Sequence, residues 1–479
     1  MNHLETRYQT NLSLLTDLYQ LTMAYSYWKT GSAEDEAVFH LFYRKNPFGG
    51  KYAIACGLQD VIDFLDNFKF TNSDLDYLRS LKDANGADLF EDKFLYYLQD
   101  LKFSCDIDAV KEGTIVFPHE PLLRVTGPLL QAQLIETFLL NSINFQTLIA
   151  TKSSRIIAAA DGDPVHEFGL RRAQGIDGGL SASRAAYIGG CTATSNVLAG
   201  KIYGIPVKGT HGHSWVMSFD NELEAFKAYA EAMPNNCIFL VDTFDTIRGI
   251  KKAIQVAQNL QKKGHSFLGI RLDSGDLLSL SIKARKLLDA AGFQSAKIVA
   301  SDSLDEYKIK DLKAKGALID AWGVGTNLVT AKDQPALGGV YKLAAIRKKD
   351  ADWIYKLKLS NTSNKVSTPG ILQTRRYFVS DGQPFGDMIW NINNKELFPQ
   401  IQSFDGRTIV TNNRSFKDLL IPIFRQGKLI YKSSSIQDIR AYRQAQVELF
   451  KKVDFKLYPT GLEQQLNQQK LDLIQQYLL

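Results

Sequence analysis

Ile205–Phe219 reads IPVKGTHGHSWVMSF. A short apolar run ends at Gly209, and Thr210, His211, Gly212, His213 and Ser214 follow within five positions. The pattern predicts a strand that delivers polar side chains to its own exit loop. Two of the seven histidines in the protein stand here, in a segment otherwise fit for a core, and that density calls for a chemical reason.

On either side of this stretch the chain alternates. Candidate strands lie at 165–168, 206–209, 238–241, 267–271, 298–300, 321–324 and 339–343. Helical spacing of apolar residues separates most of them, at 181–198, 222–233, 246–260, 277–290 and 304–314, after two longer helical stretches at 130–140 and 145–160. Repeated strand-then-helix units predict a parallel sheet, and seven or eight of them predict closure into an irregular α/β barrel over residues 129–347. A doubly wound open sheet remains the alternative, because alternation alone does not show closure.

The flanking regions read differently. Residues 1–128 mix helices (14–28, 58–68, 73–81, 92–101) with strands (38–42, 52–55) and a stretch of β character at 110–125 broken at Gly113 and Pro118, without regular alternation, as in an α+β domain. Thr16 or Ser13 is the expected cap of the first helix and Ser73 of the third, and NPFGG at 46–50 is turn chemistry. Residues 348–479 open on the polar loop KLKLSNTSNKVSTP (356–369). Short strands at 377–379, 408–410 and 429–431 and helices at 436–450 and 464–479 follow.

Composition narrows the class. The 479 residues are too many for one ordinary domain, and 45% hydrophobic with 23% charged residues is the balance of a globular protein. A net charge of +6 suits phosphorylated small molecules, and no basic run resembles a nucleic-acid arm. Cys56, Cys105, Cys191 and Cys237 show no CxxC spacing, which points to small buried thiols in a reducing compartment. The N-terminus carries Glu5 and Arg7 but no apolar signal region, and no stretch is long enough to span a bilayer, so a cytoplasmic location is expected.

In a parallel barrel the strand exits open on one face, and catalytic groups gather there. The exits here supply Glu167, Gly169, Arg171 and Arg172; Thr210, His211, His213 and Ser214; Asp242, Thr243 and Asp245; Arg271, Asp273, Ser274 and Asp276; Ser301, Asp302 and Ser303; and Gly323, Gly325, Thr326 and Asn327. Such a rim suits a phosphorylated sugar with Mg²⁺. GVGTN can form a phosphate nest or a plain tight turn. Asp273 and Asp276 can hold Mg²⁺ or sugar hydroxyls, or cap a helix. The Arg171–Arg172 pair can clamp a carboxylate or phosphate, or simply be solvated. His211-x-His213 can be a metal pair, two core histidines, or a nucleophilic histidine that takes a phosphoryl group with nearby carboxylates fixing its tautomer. The metal reading lacks further histidines on later strands, where only His265 remains.

Six ordered segments, TDLYQLTMA (16–24), EFGLRRAQG (167–175), GTHGHSWV (209–216), IRLDSGD (270–276), ASDSLDE (300–306) and WGVGTNL (322–328), together resemble the nicotinate phosphoribosyltransferase family. The resemblance runs from about residue 10 to 345, and KLSNTSNKVSTPG resembles a further family segment. It implies a type II phosphoribosyltransferase fold, an irregular α/β barrel joined to an N-terminal α+β domain that C-terminal segments complete. It also implies that nicotinate and 5-phosphoribosyl 1-diphosphate give nicotinate mononucleotide and diphosphate, with ATP hydrolysis coupled through a phosphohistidine at His213. Tyr19 would stack on the pyridine ring of a neighbouring subunit's site in a homodimer. Arg171, Thr210 and Arg271 match positions expected to hold the nicotinate carboxylate or phosphates, and Asp273 a ribose-binding aspartate. Ser301, Asp302, Gly323, Gly325 and Thr326 match phosphate and ribose loops, and Arg155 a diphosphate contact. Mg²⁺ would ride mainly on substrate phosphates, with Asp273 or Asp302 as protein ligands. The competing classes are the nicotinamide-using relative, a metal-dependent barrel hydrolase and a non-catalytic binding protein.

Overall fold

The computed structural model describes residues 11–362 and 365–478. Glu5 and Arg7, Ser363 and Asn364 of the polar loop, and Leu479 lie outside them. The chain divides into two compact units, one of residues 1–147, 337–435 and 442–479 and one of residues 148–336 and 436–441. It passes from the first to the second within the Glu136–Ala160 helix, at residue 148.

The second unit holds a parallel sheet of six strands. In spatial order these are Ala193–Thr194, Val165–Glu167, Ala321–Val324, Lys297–Ala300, Gly269–Leu272 and Ile238–Leu240. The unit's first strand in sequence thus lies beside its last, with Glu167 opposite Val324, while Ala300 faces Leu272 and Leu240 faces Arg271. These strands are almost continuously apolar because helices cover them, and Val165, Ile270, Leu272, Ile298, Ala300, Trp322 and Val324 are all buried. The covering helices start at aspartates whose carboxylates accept backbone N–H groups: Asp245 from Arg248, Asp276 from Ser279 and Asp305 from Lys308.

Three expectations for this unit are corrected. The helix expected at 181–198 is two, Gly175–Ile188 and Val197–Tyr203, with the Ala193–Thr194 strand between. Gly189 and Gly190 end the first: a Cβ at Gly189 would stand 2.5 Å from Ala150 O, and Gly190 has φ 119°. The strand expected at 206–209 contributes one parallel bridge, Thr194 to Val207, so ladder pairing stops between Val207 and the Ile238–Leu240 strand. The strand expected at 339–343 as a last barrel strand belongs to the other unit. Gly339–Arg347 runs antiparallel to Glu36–Tyr43, and Tyr341 stacks on Phe39 with ring centroids 4.8 Å apart.

The first unit contains a seven-stranded antiparallel sheet in which Glu36–Tyr43 lies between Gly339–Arg347 and Leu123–Pro128. Asp106–Val110 pairs with Leu420–Arg425 in the same sheet. A second sheet of six strands is built from 372–463, around a core of Leu372, Ile389, Leu462 and Leu466. The strands on either side of NPFGG do not pair with each other; Ala53–Ile54 pairs with Ile115–Val116. The cap of the Asn72–Ser80 helix is Thr71, in a reciprocal capping box with Asp74, and not Ser73. Asp17, rather than Thr16 or Ser13, occupies the N-cap position of the Leu18–Thr30 helix. No described helix is long and apolar enough to cross a membrane.

Candidate active site

A cleft of about 590 Å³ opens at the strand exits of the second unit. Its lining includes Phe168, Arg171, Ser195, Thr210, His213, Arg271 and Asp273. Arg271 is the hub. It leaves the Gly269–Leu272 strand half-buried and donates from three nitrogens: Nε to Ser301 Oγ at 2.9 Å, Nη1 to Thr210 Oγ1 at 3.1 Å and Nη2 to Asp273 Oδ1 at 2.8 Å. Ser301 Oγ also donates to Asp273 Oδ1. Burial works against the Asp273 charge, but the Arg271 guanidinium and the Ser301 hydroxyl outweigh it and hold this carboxyl below the usual aspartate value. Residues 210, 271, 273 and 301 are thereby one rigid, charge-assisted network.

The two histidines do different work. His211 is buried, and its Nε2 accepts the N–H of Leu240 at 3.2 Å, so Nδ1 carries the proton and faces Gly212 O at 3.4 Å. This side chain spans the seam where ladder pairing stops. Burial pushes its pKa down to about 4, helped by the nearby Arg271 charge, and keeps the ring neutral. His213 begins the His213–Met217 helix with its side chain 40% exposed, and its Nε2 lies 3.2 Å from Asp242 Oδ1. Asp242 is 1% exposed, and its Oδ2 accepts Asp273 N–H at 2.8 Å and Ser274 Oγ at 2.6 Å. A carboxylate so engaged accepts from Nε2–H, and in the neutral ring Nδ1 is then the nitrogen that holds the free lone pair. Residues 211 and 213 thus bond to 240 and 242 on the neighbouring segment, and the imidazoles do not converge as a metal pair would require.

The remaining expected residues sort as follows. Arg171 lines the cleft, exposed, with no ion-pair partner among the described residues. Glu167 turns away from it, fully buried, and accepts from Gly169 N–H, Ser183 Oγ and Thr194 Oγ1. Asp302 follows Ser301 with φ 95°, and Ser303 after it has φ 49°, two consecutive non-glycine residues in strained backbone. Gly323 allows the ring of Phe168 to pack close, since a Cβ there would meet Phe168 Cδ2 at 2.6 Å. Gly325 precedes the short Thr326–Val329 helix, with Thr326 exposed. Arg155 stands outside the cleft lining, with Nε 2.8 Å from Glu306 Oε1 and Nη2 3.2 Å from Tyr307 Oη. Tyr19 belongs to the first unit, on the Leu18–Thr30 helix, 48% exposed. Asp276 is the helix cap that one of its two readings allowed.

Asp242 and Ser195 have no role that the sequence alone assigns. The only signal for Asp242 was its place at a strand exit, since its hold on His213 depends on a contact 29 residues away. No cluster of three or more histidine, cysteine or acidic side chains able to hold a metal occurs among the described residues. Asp273 Oδ1 is occupied by Arg271 and Ser301, and Asp302 Oδ2 lies 3.4 Å from Lys308 Nζ. Both carboxylates are already engaged, so a Mg²⁺ ion here would have to take most of its oxygen ligands from a bound molecule.

A parallel α/β unit with an arginine–aspartate–hydroxyl network, an uncommitted arginine and a carboxylate-oriented histidine at its strand exits has the make-up of an enzyme site. Family models agree over three successive stretches. Residues 14–144 match the nicotinate phosphoribosyltransferase N-terminal domain, 164–377 the nicotinate phosphoribosyltransferase family and 373–459 the nicotinate phosphoribosyltransferase C-terminal domain. The chain is 47% identical to the nicotinate phosphoribosyltransferase of Bacillus subtilis over 448 residues, covering 92% of this chain and 89% of that one. It is 38% identical to the human protein of that name over 434 residues, covering 78% and 79%. The crystal structure of human nicotinic acid phosphoribosyltransferase matches with a TM-score of 0.82 at 32% identity, covering 96% of this chain and 99% of that one. The chain belongs to the nicotinate phosphoribosyltransferase family.

Proposed function

We propose that this enzyme joins nicotinate to 5-phosphoribosyl 1-diphosphate, giving nicotinate mononucleotide and diphosphate, and that ATP hydrolysis drives the reaction through phosphorylation of His213. The observation that carries the reading is the convergence of Thr210, His213, Arg271 and Asp273 on one cleft. Arg171 is available to the nicotinate carboxylate or to a phosphate, and its planar fork matches either. Arg271, with Ser301, Asp273 and Thr210, positions the ribose and phosphates, and the exits at Asp302 and Gly323–Thr326 complete that surface. Diphosphate departs from the anomeric carbon as positive charge develops on the ribose, so fixed donors and orientation supply most of the acceleration. Mg²⁺, when bound with the phosphates, would neutralise charge on the leaving group.

His213 is set up as a nucleophile. Its Nδ1 lone pair attacks the γ-phosphorus of ATP, ADP leaves, and the phosphoryl group later passes to water. The phosphoryl group brings about −1.5 to −2 charges beside the Arg271 network, enough to reorder substrate loops. We read the second unit as an irregular barrel whose unpaired seam is bridged by His211. The active protein is read as a homodimer in which Tyr19 of one copy stacks on the pyridine of the other's site. A cytoplasmic setting is supported by the burial of all four cysteines.

The test is a product assay with nicotinate and phosphoribosyl diphosphate, with and without ATP, and with nicotinamide as competitor. Nicotinate mononucleotide should form, faster with ATP, and [γ-³²P]ATP should label His213 in acid-labile form. Preferential use of nicotinamide, or persistent labelling of His213→Ala, would overturn the reading.

A further inference from the structure

The Glu136–Ala160 helix carries Lys152 and Arg155 one turn apart, and both reach Glu306. Lys152 does more. Its side chain is only 1% exposed, and its Nζ lies 2.7 Å from Glu306 Oε2 and 2.7 Å from Asp333 Oδ1. The Tyr307 ring centroid is 5.9 Å away.

The two carboxylates sit at informative places. Glu306 opens the Glu306–Ala314 helix directly after the loop that leaves the Lys297–Ala300 strand. Asp333 follows the Thr326–Val329 turn that leaves the neighbouring Ala321–Val324 strand. One buried ammonium therefore ties together the chain leaving two adjacent parallel strands. The first loop is the strained one, with Asp302 and Ser303 at positive φ. It is held from the second by Asn327, whose Nδ2 donates to Ser303 O at 3.0 Å and Leu304 O at 3.1 Å. Lys308 Nζ adds a bond to Asp302 O at 2.9 Å.

We propose that Lys152 is a positioning residue that fixes the Ser301–Ser303 loop and the Gly323–Thr326 loop relative to one another, preorganised for a single phosphorylated ribose. This rests on the proposed function of the site. Exposed ion pairs hold geometry poorly, because two solvated side chains gain little by meeting. An ammonium that is itself buried and held between two carboxylates exchanges far less with water, so it keeps its geometry better. Loops held apart at the correct spacing lose less freedom when a phosphate binds, and binding is tighter for that reason.

The experiment compares Lys152→Met and Lys152→Arg with the parent enzyme. Lys152→Met should raise the KM for phosphoribosyl diphosphate at least tenfold, with the nicotinate KM within twofold, and Lys152→Arg should recover most of the loss. Calorimetric binding of inorganic diphosphate should weaken in parallel, a readout that needs no turnover. Glu306→Gln and Asp333→Asn should be non-additive in the parent background and without further effect beside Lys152→Met. A folded Lys152→Met enzyme with parental diphosphate affinity, or with both KM values raised alike, would overturn the proposal. If Lys152→Met fails to fold, Asp333→Asn alone carries the test, because Asp333 is 39% exposed and its loss should weaken diphosphate binding in an intact protein. A parent enzyme that forms no nicotinate mononucleotide would sink the functional reading, while the diphosphate titration would still decide the role of Lys152.

Discussion

Asp242→Asn exposes the proposed chemistry most directly. Asp242 takes three donors on two oxygens: His213 Nε2 on Oδ1, and Asp273 N–H with Ser274 Oγ on Oδ2. An asparagine has one oxygen and one NH₂. If the oxygen keeps the two donors of residues 273 and 274, the NH₂ faces His213 Nε2. That nitrogen must then accept, the ring proton moves to Nδ1, and the nucleophilic lone pair is lost. Loss of a charge-assisted hydrogen bond alone is about 1.5–3 kcal/mol, roughly a 10- to 150-fold effect. A wrong tautomer adds to this, and removal of an orienting carboxylate from a histidine in other enzymes costs as much as ~10⁴-fold. The rate of acid-labile labelling from [γ-³²P]ATP should therefore fall at least ~100-fold, while transfer measured without ATP falls less. Matched thermal unfolding of the two proteins would show that the fold is kept. Labelling of Asp242→Asn within twofold of the parent rate would refute the argument that Asp242 sets the reactive tautomer.

Three other outcomes are expected. Arg271→Lys replaces a three-way fork with a point charge that reaches one partner, so kcat/KM for phosphoribosyl diphosphate should drop by ~100-fold or more; steady-state kinetics with an unchanged value would show that the network is not used. Gly323→Ala drives a Cβ to 2.6 Å from the Phe168 ring and should destabilise the protein by about 1–3 kcal/mol, read as a lower urea midpoint and relieved by Phe168→Leu. The His211 pKa is about 4 when folded, below the ordinary 6.5, so the folded state binds fewer protons there than the unfolded chain. Its contribution is intact above pH 6.5 and is lost as pH falls toward 4, at most about 3 kcal/mol. The urea midpoint of the parent should drop more between pH 7 and pH 4.5 than that of His211→Asn, and equal drops would count against it.

Much of the cleft's lining was legible in the chain itself. Residue types at strand exits marked Thr210, His213, Arg271 and Asp273, because a strand followed by polar residues betrays its own rim. The Leu277–Ala290 helix and the Thr408–Val410 strand fall where their periodicity places them. In the 372–463 sheet, Pro384–Asn391, Gln400–Ser403, Ser415–Asp418 and Thr460–Glu463 were not anticipated, nor was Leu420–Arg425 of the other sheet. Those short strands alternate weakly, and their partners are distant in sequence.

The local pattern thus determined the alternating β and α elements and the inventory of acids, arginines and imidazoles at their ends. Periodicity is written residue by residue and needs no partner. Tertiary structure alone decided that Gly339–Arg347 pairs with Glu36–Tyr43, some three hundred residues away. It also decided that His211 bonds Leu240 while His213 bonds Asp242, and that Arg155 turns to Glu306. The reason is physical: a hydrogen bond's direction, a tautomer and an ion pair's choice of partner are set by distances that exist only once the chain has closed on itself.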